Sequence, residues 1–117
     1  MWTGIGLLVV FAIVGGMWFY VFDHYIHPER MILEGDPSDY GLEFENHTFK
    51  TFDDLKLNAW LILPPEPVRQ EKMPLVVVVH GYGTNRWDVM ERSANFARKG
   101  YLVFVYDQRA SGNSEGD

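Results

Sequence analysis

From Met1 to Phe22 the chain carries no charged residue, and its apolar positions run without the polar intervals of an amphipathic helix. As a helix, this stretch would extend about 33 Å, enough to cross a hydrocarbon core of ~30 Å. Trp2 near one end and Trp18, Phe19 and Tyr20 near the other suit the two membrane interfaces. Residues 1–22 are therefore expected to be a membrane anchor, with the lipid bilayer as partner. A polar, acidic stretch follows, broken by Pro28, Gly35 and Pro37, and is expected to be a juxtamembrane linker over 23–40. From Gly41 the pattern changes. Phe44, Asn46 and Thr48, a polar Asp53-Asp54 turn, then Leu55, Leu57, Ala59 and Leu61 predict a two-stranded hairpin that ends at Pro64-Pro65.

Leu75-Val76-Val77-Val78-Val79 is a short β-branched run, apolar on both faces. Such a run fits the middle of a parallel sheet with helices on either side. Next comes His80-Gly81-Tyr82-Gly83, where Gly81 and Gly83 are expected to take backbone angles closed to other residues. Asn85 can then cap a helix, with Asp88 reaching back to its first turn. Trp87, Met90, Ala94 and Ala97 recur at helical spacing, and Gly100 stands where a helix should end. Met90 and Phe96 are expected to be core. A second apolar run, Tyr101 to Tyr106, completes strand, helix, strand: a parallel βαβ unit. The fold class is α/β, with 41–117 as its domain.

Two other readings of the N-terminus fare worse. A cleaved signal peptide would want a basic start, a shorter apolar run and a small-x-small cleavage site. A buried soluble helix would be unusual at this length and position. Ala12 and Gly16 have the spacing that lets two spanning helices approach, though small residues are common in such helices anyway. Arg30 alone follows the span closely among acidic residues, so the charge pattern leaves the side of the membrane open. The net charge of −6 argues against nucleic acid as a partner. With no cysteine, disulfides, zinc thiolates and a cysteine nucleophile are excluded. His24 and His27 stand three apart, but Pro28 follows at once and no third ligand is evident, so no metal is expected.

Three motifs in order carry a resemblance: Ala59-Trp60-Leu61-Ile62-Leu63-Pro64, His80-Gly81-Tyr82-Gly83, and Asp107-Gln108-Arg109-Ala110-Ser111-Gly112-Asn113-Ser114. Residues 41–117 resemble the N-terminal third of an α/β-hydrolase, close to the serine-aminopeptidase-like and monoacylglycerol-lipase-like branch. The family pattern at the third motif is D-x-R-G-x-G-x-S, so Ala110 stands in place of a glycine and is expected to ask for slightly different backbone angles.

By that resemblance, the backbone N–H of Tyr82 would be one of two oxyanion-hole donors, within a turn formed by His80, Gly81 and Gly83. Its ring could also line the acyl pocket. The second donor would follow the nucleophile in a later elbow. Asp107 and Arg109 would structure the loop after the second parallel strand. No metal or organic cofactor is implied; the substrate would be a small acyl compound or short peptide. Gly112-Asn113-Ser114-Glu115-Gly116 formally matches G-x-S-x-G, but a nucleophile elbow lies directly between strand and helix, and here a polar loop intervenes. Ser114 is therefore refused as nucleophile, and His80 as catalytic base.

The expected function is that of a membrane-anchored serine hydrolase in a longer parent chain. This stretch would supply the oxyanion turn without the triad, and would be inactive alone. The alternative is a membrane-tethered binding protein on the same scaffold. Two parallel strands and one helix would also leave apolar sheet surface exposed.

Overall fold

The computed structural model describes residues 2–117; Met1, the first residue of the expected anchor, lies outside them. Helix α1 spans Trp2–Ile26, four residues further than the charge-free stretch, because Asp23 and His24 continue the helix before Pro28 stops it. None of its residues is buried, and it is long and apolar enough to cross a membrane. It projects from the rest of the chain, whose overall extents are 80 × 28 × 21 Å.

Strands β1 (Phe44–Lys50) and β2 (Lys56–Ile62) form the antiparallel hairpin, β3 is Leu75–Val79, helix α2 is Met90–Arg98 and β4 is Leu102–Tyr106. The sheet order is β1-β2-β4-β3, with β2 antiparallel and β3 parallel to β4. The chain thus enters by a hairpin, places β3 beyond the site of β4, and returns through α2 to fill the gap.

One sheet face carries the core. Trp60 and Ile62 of β2 lie opposite Val105 and Val103 of β4, which pair in turn with Val78 and Val76 of β3. Val89, Met90, Ala94 and Ala97 pack against this face, and Met90 is fully buried. The cap at Asn85 forms: its side chain accepts from the Trp87 N–H at 2.9 Å. Asp88 does not reach back, and the first turn, Arg86–Val89, is a 3-10 turn ahead of the α-helix.

The valine strand is not the covered middle strand that its two apolar faces suggest, but the exposed sheet edge that a single helix implies. β3 is an edge strand, and no helix among the described residues covers its second face. Leu75, Val77 and Val79 are 57%, 54% and 47% exposed there. Phe49, Phe104 and Tyr106 cluster on the same face, with Phe49 5.9 Å and 5.6 Å from the other two rings.

The stretch expected to be a linker is docked on the domain. Asn85 Nδ2 donates to the Met31 carbonyl at 2.8 Å, and Arg98 donates to the Tyr40 carbonyl. Leu33 and Tyr40 pack on the core, and Gly35 lies so close to Trp87 and Asp39 that a Cβ would meet both. Asp36 caps the 3-10 turn Pro37–Tyr40 by accepting from the Ser38 amide, and the Asp39 carboxylate accepts in return from the Asp36 amide.

Candidate active site

Strands β3 and β4 run parallel, so the loops that leave their C-terminal ends emerge side by side. That is where open α/β sheets bind ligands. The ladder ends at Val79 opposite Tyr106. The Tyr82 amide therefore lies beyond the sheet's hydrogen bonding.

His80 anchors the turn. It is buried, and its ring is held at both nitrogens: Nδ1–H donates to the Gly81 carbonyl at 2.8 Å, while Nε2 accepts from the Gln108 amide at 3.0 Å. A backbone amide can only donate, so Nε2 carries no proton and its lone pair is occupied. Gln108 Nε2 also donates to the His80 carbonyl at 2.7 Å, clamping the two loops together. The His80 ring and carbonyl thus tie the turn to the loop after β4. Gly83 adopts φ +74°, the left-handed conformation that favours glycine. Gly81 does not, and a Cβ there would meet nothing within 4 Å, so the special backbone angle belongs to Gly83 alone.

Asp107 organises the second loop. Its carboxylate is fully buried and accepts from the Arg86 amide at 2.8 Å and the Asn113 amide at 3.0 Å. Arg86 Nη1 lies 3.5 Å from Asp107 Oδ2, and its guanidinium stacks 4.2 Å over the Trp60 ring. Burial pulls the Arg86 pKa below its ordinary value, and the Asp107 charge opposes that shift. Arg86 Nε and Nη1 have no hydrogen-bond partner among the described residues. Ala110 corrects an expectation: its φ is +61°, so the alanine accepts the glycine's left-handed geometry instead of relaxing away from it. The Glu115 carbonyl, which accepts from the Ala110 amide at 3.0 Å, closes the loop in that shape.

Ser114 is buried, with its hydroxyl spent on structure. It donates to the Asp107 carbonyl at 2.7 Å and accepts from the Asn58 amide at 2.9 Å, joining the loop to β2. Arg109 is half-exposed and pairs with Asp53. The hydrogen bond from Thr51, then that from Arg109, holds the Asp53 pKa below its usual value. His24 stacks on Tyr20 and His27 pairs with Asp23, and among the described residues no three metal-ligating side chains converge.

Between the two loops lies an open cleft of about 390 Å³, walled by His80–Gly83, by Gln108–Ser111 and by Ile26–Pro28 and Arg30 from the chain's N-terminal part. The Tyr82 side chain, 64% exposed, borders it. Arg30 contributes what the sequence did not signal: its guanidinium donates to the carbonyls of Ser114 and Gly116, pinning the segment after α1 onto the β4 loop. Gln108 also escaped notice, since it occupies a variable position of the motif.

Residues 29–117 match the family described as acetyl xylan esterase (AXE1). The chain is similar to a dipeptidyl-peptidase 5 of Schizosaccharomyces pombe, 26% identical over 87 residues, which cover 71% of this chain and 13% of the relative. It is also similar to the quorum-quenching protein AidA of Acinetobacter baumannii, 35% identical over 65 residues, covering 55% of this chain and 20% of that protein. Among solved structures, the Pyrococcus furiosus esterase Pf2001 superposes with a TM-score of 0.68 at 29% identity, covering 78% of this chain and 34% of the esterase. The chain spans about a third or less of the length of these relatives. Its sheet, its two parallel-strand loops and this match over most of its length carry one conclusion: the chain belongs to the acetyl xylan esterase (AXE1) family of α/β-hydrolases.

Proposed function

We propose that the protein is a membrane-anchored serine hydrolase acting on ester, acyl or short-peptide bonds, with α1 as its anchor. The Tyr82 N–H serves as one oxyanion donor. Acyl transfer builds negative charge on the carbonyl oxygen, and a fixed amide aimed at that oxygen stabilises the transition state more than the ground state. The observation that carries this reading is the Tyr82 amide itself: beyond the β3 ladder, at the C-terminal end of a parallel strand, beside a cleft. The esterase and peptidase relatives support the reaction class. The nucleophile, triad acid and triad histidine are assigned outside residues 1–117, since Ser114 and His80 are both committed to structural hydrogen bonds.

The test is a fluorophosphonate probe applied to the full-length protein. Covalent labelling at a serine other than Ser114 is expected. Absence of labelling on folded protein would favour a tethered binding protein that keeps the scaffold without the chemistry.

A further inference from the structure

The last turns of α1 touch the oxyanion turn. A helix leaves its final carbonyls without intrahelical partners. One of these, the carbonyl of Tyr25, accepts a hydrogen bond from the Tyr82 hydroxyl. The two rings stack with centroids 5.5 Å apart. Beside this contact Tyr20, Val21, His24, Tyr25, Pro28 and Tyr82 line a second, shallow and open groove of about 360 Å³ with almost wholly apolar walls. Pro28 and Tyr82 line both this groove and the cleft, so the two adjoin. The groove therefore runs along the surface of an apolar helix to Tyr82, the residue it shares with the cleft.

We propose that this groove holds the acyl chain of a membrane-dissolved amphiphilic ester, delivered to the cleft from the bilayer surface. The inference rests on the anchor and hydrolase readings above and names their substrate class. With α1 across the membrane, Tyr20 to Pro28 lie at the interface, where a lipid chain reaches the groove without crossing water. Tyr25 and Val21 are then specificity residues, and the stacked Tyr82 keeps the groove's end fixed beside its own N–H.

The experiment uses full-length protein in phosphatidylcholine vesicles, comparing vesicle-borne p-nitrophenyl palmitate with p-nitrophenyl acetate. The substitution Val21→Trp fills the groove while keeping the helix apolar. It is expected to lower the palmitate-to-acetate ratio of kcat/KM at least tenfold. Val10→Trp, about three turns away on the same helix, should leave that ratio as in the unmodified protein. An unchanged ratio in Val21→Trp, or wild-type protein that cleaves acetate but not palmitate, overturns the groove. A palmitoyl ester with a diazirine on its chain separates this failure from that of the hydrolase reading. Photocrosslinking to the peptide bearing Tyr82, lost in Val21→Trp, upholds the groove even if neither ester is cleaved. No crosslink to that peptide overturns it even where the fluorophosphonate labels a serine.

Discussion

The amide of Arg86 donates to the Asp107 carboxylate across 2.8 Å, while the Arg86 guanidinium stands 3.5 Å from the other oxygen of the same group. One buried side chain at the end of β4 thus holds both the entry to α2 and the opposed charge. The carboxylate opposes the cost of burying Arg86 without cancelling it, since the Arg86 pKa still lies below its ordinary value.

Asp107→Ala should destabilise the full-length protein by about 3–5 kcal/mol, since it strands a buried cation and two amides. Chemical denaturation in detergent or nanodiscs measures this. A loss under about 1 kcal/mol would show that Arg86 finds other compensation.

Glycine substitutions should separate by position. A Cβ at Gly112 would stand 2.2 Å from Asp107 Oδ2, and its φ of +47° disfavours a side chain as well. Gly112→Ala is expected to cost roughly 2 kcal/mol or more. Gly83→Ala, with φ +74° and open space, should cost about 1–2 kcal/mol. Gly81→Ala, with neither constraint, should leave stability within about 0.5 kcal/mol. Equal losses at all three, read from thermal melts, would contradict these backbone assignments.

Ala110→Gly should stabilise, an unusual direction for an alanine-to-glycine change. Relief of a left-handed alanine at φ +61° gains about 1–2 kcal/mol, and greater freedom of the unfolded chain returns about 0.5–1 kcal/mol of it. A net rise of up to about 1.5 kcal/mol is expected. A fall of that size would mean the methyl group contributes packing that outweighs its backbone strain.

The Asp53 pair sets an acid limb. Its carboxyl pKa is lowered on folding, first by the Thr51 hydroxyl and then by Arg109. The stability it contributes is thus present above the ordinary value of 3.8 and is lost as pH falls through the lower folded pKa. Asp53→Asn should flatten the stability profile below about pH 4 and leave its slope above about pH 5 unchanged. The change is small because the pair is exposed. A steeper acid limb in the variant would contradict the sign.

The sequence disclosed whatever is local. The hairpin, the valine strand, the Asn85 cap and the loop after β4 are each written in a few adjacent residues whose periodicity or turn chemistry admits few alternatives. It did not disclose contacts between distant positions. Arg30 reads as a lone linker cation, yet it grips Ser114, 84 residues away. Asn85 reads as a cap, but its amide also fastens Met31, turning an apparent linker into a docked strap. A run of valines records that burial is wanted on two faces, not which element supplies it, whereas the single helix of the βαβ unit already implied that one face of β3 would stay bare. Ala110 misled for a different reason: the residue type argued for ordinary angles, while the Asp107 and Glu115 contacts around the loop dictate glycine's. At the site, the turn's glycines pointed to position 82, whereas the clamp of Gln108 on His80 required both loops in place.

The most direct test of the account is a crystal structure of the full-length protein bearing a fluorophosphonate adduct. The phosphonyl oxygen should lie about 2.7–3.1 Å from the Tyr82 nitrogen, the span expected of an oxyanion donor. An adduct on Ser114, or an oxygen directed away from that nitrogen, would contradict it.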